Sequence, residues 1–282
     1  GTMTARGRIA RLLAHVAPTP PSALPGPSPV LTSTPAVGRR IDRVALVVGA
    51  GSSTGGAVAR AFAAKGYHVC VARRSAAGLK DLVKSIREKG HKVTAFPCDA
   101  RKEDAVVQLV NQIEDTIGEI EVCIHNIGAN VRFSILETTS RVYRKVWEMA
   151  AFSAFLVGRE VAKFMAKRGH GTIIFTGATA SIRGKEGFAA FSGAKHAKRA
   201  LAQSMARELH PKGIHVAHVI IDGPIDTPWI KELMGKELND DMKKKDGLLV
   251  PDYIAKNYVM LAEQHRSAWT HELDLRPWIE SW

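Results

Sequence analysis

Nowhere in the 282-residue chain do 18 apolar residues run together, so no membrane-spanning helix is expected. Cysteine is scarce: Cys70, Cys98 and Cys123 form an odd, widely spaced set that excludes a disulfide framework and suits a reducing compartment. None of them lies near a histidine at metal-ligand spacing, and the eleven histidines follow no ligand pattern. No structural or catalytic metal is expected. His215 and His218 share one short strand, but their odd spacing sends them to opposite faces. Tyrosine is also rare, with Tyr67, Tyr143, Tyr253 and Tyr258 the full set. Acid is missing altogether from residues 1–40, which carry five arginines. The net charge is +13, and the remainder of the chain is nearer +8. There the basic residues are spread, often beside acids (Arg87-Glu88-Lys89, Lys231-Glu232), and Lys243-Lys244-Lys245 is the densest run. That distribution describes a solvated basic surface, not a nucleic-acid-binding or membrane-inserting one.

Residues 1–40 form a leader of distinct character. Gly1-Thr2 before Met3 reads as an expression scar. From Arg6 to Val16, the apolar Ile9, Leu12, Leu13 and Val16 fall on one helical face. The following PTPPSALPGPSPVLTSTP holds seven of the thirteen prolines and cannot build a core, so it is expected to be disordered or extended. An Arg-rich, acid-free amphipathic start with a Ser/Thr/Pro linker fits a mitochondrial presequence. A dispensable tail on a cytoplasmic protein fits equally. The apolar run is too short for a secretory signal, so a mitochondrial or cytoplasmic location is expected and secretion is not.

Residues 41–282 alternate strand and helix. Strands are expected at 43–51, 67–73, 92–99, 121–126, 171–177 and 214–221, with a short last one near 269–275. Helices fill 55–65, the stretch up to Lys89, 102–117, about 138–168, 189–210, the charged segment after Pro228, and a stretch from Pro251. Strands with few charges, alternating with helices, imply an α/β fold: one Rossmann domain with a doubly wound parallel sheet. The first turn carries the clearest chemistry. VALVVGAGSSTGGAVARAFAAKG is a strand, a glycine-rich turn and a helix. Glycines let the backbone approach a pyrophosphate, and the exposed amides at the helix N-terminus bind its oxygens.

With that loop, residues 42–282 resemble a short-chain dehydrogenase/reductase, a single-domain Rossmann family. Against the family's TGxxxGxG the chain has Val48-Gly49-Ala50-Gly51-Ser52-Ser53-Thr54-Gly55: Gly49 and Gly55 match, and Ser53 replaces the middle glycine. Gly51 is expected to lend the flexibility that Ser53 lacks. Asp99 matches the family's adenine-side aspartate, and Asn126 and Gly128 match within its NNAG motif. Gly223, Ile225 and Thr227 lie in a stretch resembling its PGxxxT loop. The resemblance therefore implies a nicotinamide dinucleotide. The second strand ends Ala72-Arg73-Arg74 with no acid. An acid there would accept the ribose hydroxyls of NAD, whereas guanidinium groups suit a 2′-phosphate, so NADP(H) is favoured over NAD(H).

The family's catalytic set is Asn, Ser, Tyr and Lys, with the last two four apart on one helix face. Laid on FSGAK, the pattern places Phe191 at the tyrosine and Lys195 at the lysine; Ala178 falls at the serine and Ala150 at the asparagine. Three of the four positions then lack the group that handles the proton. Thr179, Ser181 and Lys195 remain as candidate catalytic residues, with Lys195 also a candidate ribose ligand. Two readings stay open. One is an NADP(H)-dependent oxidoreductase with a non-standard proton donor and an unknown small substrate. The other is a catalytically silent relative that binds dinucleotide and acts through assembly or sensing. Family resemblance further implies a homodimer or homotetramer.

Overall fold

The computed structural model describes residues 42–280. The expected leader, with its helix and presequence reading, lies outside the described residues, as does Trp282.

Seven strands form one parallel sheet in the order β3-β2-β1-β4-β5-β6-β7. They are β1 (Asp42–Val48), β2 (His68–Arg73), β3 (Val93–Pro97), β4 (Gly118–His125), β5 (Gly171–Thr176), β6 (Ile214–Ile221) and β7 (Glu272–Leu275). Helices are α1 (Thr54–Ala64), α2 (Lys80–Arg87), α3 (Glu103–Thr116), α4 (Ser140–Trp147), α5 (Ser153–Arg168), α6 (Ala189–Leu209), α7 (Pro228–Met234), α8 (Lys236–Lys244) and α9 (Pro251–Glu263). Central strands such as β1, with Val44, Ala45, Leu46, Val47 and Val48 all buried, are covered on both faces. That is why they read as unbroken apolar runs and not as alternating ones.

Two apolar layers cover the sheet. On one side Val106 and Leu109 of α3, Leu156, Val161 and Met165 of α5 and Ala206 of α6 pack with Leu46, Cys123 and Phe175. On the other, Val58 and Phe62 of α1, Leu82 and Ile86 of α2, and Tyr258 and Leu261 of α9 pack with Val47, Val71 and Ile174. His215 and His218 are both buried in β6. His215 reaches the carbonyls of Leu261 and Thr270, and His218 meets Glu272.

Three local expectations need correction. The helix expected across 138–168 is broken by a π-helical turn at Glu148–Phe152. There the Ser153 hydroxyl donates to the Met149 carbonyl at 2.5 Å and accepts from His125 Nε2 at 2.8 Å. Such side-chain bonding to the preceding turn competes with the regular helical ladder. The charged segment after Pro228 is two helices, α7 and α8, parted by Gly235 at φ +79°. The strand expected at 121–126 starts earlier, because Gly118 already pairs with Asp42.

The chain leaves β3 at one edge and re-enters as β4 on the far side of β1. This reversal of winding opens a crevice at the carboxyl ends of β1 and β4. Val48 stands opposite both Ala72 and His125, so Gly49, Arg73 and Asn126 emerge together at that edge.

Phe62 is 1% exposed and meets Tyr67 edge-on, with ring centroids 5.4 Å apart. Phe62→Ala is expected to cost about 3–5 kcal/mol, read from denaturant unfolding with an unchanged m-value.

Candidate active site

The crevice is a cleft of about 1050 Å³ that meets a second groove of about 450 Å³; Gly49, Ala50, Arg73, Asn126 and Gly128 line both. Its floor is the glycine turn. Gly49 takes φ +91°, and its amide donates to the Ala72 carbonyl at 2.8 Å. Asn126 Nδ2 donates to the Gly49 carbonyl at 3.1 Å, which ties the turn to β4. A side chain at Gly55 would bring its Cβ to 2.6 Å from the Gly49 carbonyl oxygen, so only glycine permits this approach. Gly51 faces open space and has no positive φ, so the turn's special conformation falls at Gly49 and not, as expected, at Gly51. At the start of α1 the Ser53 side chain makes no cap bond, which leaves the first amides open. Ser52, Ser53 and Thr54 line the cleft beside them.

The smaller groove brings Arg73, Arg74 and Asp99 together. Asp99 is clamped by Arg101, whose Nε and Nη2 donate at 2.8 and 2.6 Å. Hydrogen bonds from Arg101 pull the Asp99 carboxyl down to about 2. Arg73 donates to the Gly78 carbonyl at 3.0 Å. At the far end of the cleft Gly223, Ile225 and Thr227 line the wall with Trp229 and Ile230. The Thr227 side chain caps α7 by accepting from the Ile230 amide at 3.2 Å. All the residues expected to hold a dinucleotide thus line one or both grooves.

At the centre lies Lys195, 3% exposed yet lining the cleft. Its ammonium donates to the carbonyls of Thr176 at 3.0 Å and Gly177 at 3.4 Å. Burial lowers its pKa to about 8. The Phe191 ring centroid is 5.5 Å from Nζ. Thr179 also faces the cleft, but its hydroxyl donates to Asp222 Oδ1 at 2.6 Å. Ser181 is fully buried away from the cleft, and its Oγ accepts from the Ala178 amide at 3.1 Å. Of the three catalytic candidates, the structure therefore brings Lys195 and Thr179 to the cleft and withdraws Ser181.

The residues expected at the family's Asn, Ser and Tyr positions meet in one place. Ala150, Ala178 and Phe191 belong to a single apolar cluster with Val146, Ala180 and Phe188. No tyrosine lines either groove. Tyr258 is buried against Thr176 Oγ1 at 2.8 Å, Tyr67 accepts from Arg43 at 2.9 Å, and Tyr143 and Tyr253 are exposed.

The buried ionisable groups of Asp222 and Lys198 were not among the expected site residues. Asp222, fully buried at the end of β6, takes Thr179, Arg183 at 3.2 Å and Arg276 at 3.0 Å. A charge closing an apolar strand is the signal that could have found it. Lys198, one turn beyond Lys195 on α6, is fully buried; the i, i+3 spacing was legible. Ser192 lines the cleft with a buried hydroxyl that has no hydrogen-bond partner.

A sequence pattern described as short chain dehydrogenase matches residues 43–238. The chain belongs to the short-chain dehydrogenase family. It is similar to human "Dehydrogenase/reductase SDR family member 4", 29% identical over 205 residues, covering 72% of this chain and 73% of that one. Among solved structures it is similar to a short-chain dehydrogenase from Rhodopseudomonas palustris, with TM-score 0.72, 45% identity, and coverage of 84% of this chain and 99% of that one. A metagenomic short-chain oxidoreductase in complex with NADP shares the fold, with TM-score 0.72 and 22% identity over 83% of this chain and 97% of that one. Among the described residues no helix is long and apolar enough to cross a membrane, and no group of three or more His, Cys, Asp or Glu could hold a metal.

Two histidines beside the site stay neutral. Burial pushes His125 well down and His218 to about 4, from an ordinary 6.5. An unfolded chain binds protons at these positions below pH 6.5, and the folded chain does not. Both contributions are therefore full above pH 6.5 and lost as pH falls, that of His218 by about 1.4 kcal/mol per pH unit down to about pH 4. The melting temperature should fall over that window, and His218→Gln should flatten the slope.

Proposed function

We propose that the chain is an NADP(H)-dependent oxidoreductase whose proton donor is not a tyrosine. The observation that carries this reading is the Lys195 ammonium, which lines the cleft and donates to the backbone carbonyls of Thr176 and Gly177. The glycine cradle, too tight for a Cβ, and the open amides at the start of α1 fit the dinucleotide's pyrophosphate. Asn126, Gly128, Gly223, Ile225 and Thr227 fit its nicotinamide half. Arg73 and Arg74 fit a 2′-phosphate, and no acid at the end of β2 opposes it. The NADP of the metagenomic relative, at 22% identity, does not decide the cofactor. A bound nicotinamide supplies or takes a hydride.

The proton is the protein's task. Thr179 gives its hydrogen to Asp222, so toward the cleft it offers only lone pairs and acts as an acceptor. Lys195 Nζ has hydrogens to give, and a pKa near 8 suits a general acid at neutral pH. In reduction, an N–H bond of Lys195 breaks as the product O–H bond forms. The neutral amine then regains a proton from water. The second reading, dinucleotide binding without turnover, draws its support from the apolar cluster around Phe191.

Assembly is proposed through α4 and α5. Trp147, Phe152 and Phe155 stack in a row there, with centroids 5.6 and 6.2 Å apart, and Trp147 and Phe155 are 42% and 39% exposed. An exposed aromatic row of this kind fits a homodimer or homotetramer interface.

Calorimetric titration should show NADPH binding more tightly than NADH. Arg74→Ala should weaken NADPH about tenfold and leave NADH unchanged, the size of one charge-assisted contact. A turnover screen over carbonyls, enones and imines should then find activity that Lys195→Met removes. Tight binding with no substrate consumed would overturn the oxidoreductase reading in favour of the silent one. Where activity is found, Phe191→Tyr should raise it by about 10²-fold, the worth of a positioned acid.

A further inference from the structure

Two lysines, not one, reach the sheet edge under the cleft. Lys195 and Lys198 stand one turn apart on α6, at 3% and 0% exposure. Both donate to the same oxygen, the Thr176 carbonyl, at 3.0 and 3.3 Å. Lys198 also donates to the Ile127 carbonyl at 2.8 Å. Every oxygen that accepts from these amines is thus an uncharged backbone carbonyl.

Among the described residues no anion faces the pair from the elements packed around it. His125 on β4 and His218 on β6 are both bases, and both feel the two lysines. Glu272 on β7 lies beyond His218 and is taken by it at 3.0 Å and by Arg199 at 2.6 and 2.7 Å. Tyr258 on α9 is engaged with Thr176 Oγ1. Two ammonium ions on one carbonyl oxygen, dry and without counter-charge, repel in surroundings that screen poorly. One of them gives up its proton.

We propose that Lys195 and Lys198 together carry a single positive charge at neutral pH, with Lys195 the ammonium and Lys198 a neutral amine that keeps it protonated. The assignment follows from position: Lys195 lines the cleft and Lys198 does not. The titration directions agree. Burial and then the charge of Lys195 push Lys198 far below the ordinary lysine range, while hydrogen bonding to Lys198 raises Lys195 against its own burial. Lys198 is a positioning residue that acts through Lys195. Its effect on catalysis rests on the oxidoreductase reading, but the shared charge does not.

The test uses the protein with ¹³C,¹⁵N-labelled lysine and no cofactor or substrate. Side-chain NMR followed from pH 5.5 to 10.5, with Lys195→Met and Lys198→Met for assignment, counts buried ammonium groups. One ammonium and one neutral amine are expected at pH 7. Lys198→Met should move the Lys195 titration down by about half a pH unit or more. In any turnover assay, the alkaline limb of kcat should move with it while KM for NADPH holds within about twofold. Two ammonium signals at pH 7, or a Lys195 titration unmoved in Lys198→Met, would overturn the proposal. Should Lys198→Met not fold, the wild-type count decides alone. A shared charge in a protein that turns nothing over would defeat the oxidoreductase reading and leave the lysine pair standing.

Discussion

The clasp between the end of β1 and the end of β4 organises everything at the working edge of the sheet. Asn126 holds the Gly49 carbonyl, and the Asn126 amide in turn donates to Val48 at 2.8 Å. This pairing exists because the winding of the chain reverses there, which leaves both strand ends without a covering helix on the crevice side. The glycine turn can then press against β4, and α1 starts with its amides facing the crevice. A side chain at Gly49 would bring its Cβ to 2.9 Å from the Asn126 carbonyl carbon, so the phosphate-sized cradle and the β1–β4 contact are one feature. Arg73 and Lys195, from β2 and α6, both line the cleft that opens above this clasp.

The electrostatics of the centre follow from burial beneath that edge. His125, His218, Lys195 and Lys198 are all buried bases, and desolvation is the first cause of the downward shift in each. The His125 Nε2–H is used on Ser153, which leaves Nδ1 as an unpartnered acceptor. Acid is kept at arm's length: Asp222 serves Thr179, Arg183 and Arg276, and Glu272 serves His218 and Arg199. Among the described residues that line the cleft, Lys195 is the one buried cation, so burial sets its protonation.

The centre of the sheet was legible because strands such as β1 and β6 are buried on both faces. β6 spans Ile214–Ile221 as expected, since eight consecutive buried residues bounded by glycine leave no other reading. The dinucleotide groove was legible because glycine spacing and strand ends are local signals. What escaped depends on side chains that meet from distant parts of the chain. Ser181 and Thr179 are two residues apart, yet one turns inward to an amide while the other reaches Asp222, 43 residues on. The π-helical turn at Glu148–Phe152 arises from a bond between Ser153 and His125 on another element, which periodicity does not register. Lys198 was visible, but its lack of a counter-ion is a property of β4, β6 and β7 together.

The apolar cluster around Phe191 and the proposed lysine pair meet at Lys195. In a site with tyrosine, the ammonium lowers the pKa of a phenol, and the phenol moves the proton. Phe191, Ala178 and Ala150 belong to one apolar cluster, and the Phe191 ring centroid lies 5.5 Å from Lys195 Nζ. Burial is what brings the Lys195 pKa from 10.5 to about 8. An ordinary lysine holds its proton too firmly to be a good acid near neutrality. Under the proposed pairing, Lys198 keeps Lys195 charged while burial leaves it a stronger acid than an ordinary lysine. Under the proposed reading, a hydroxyl restored at position 191 adds a second positioned donor to the one that Lys195 supplies.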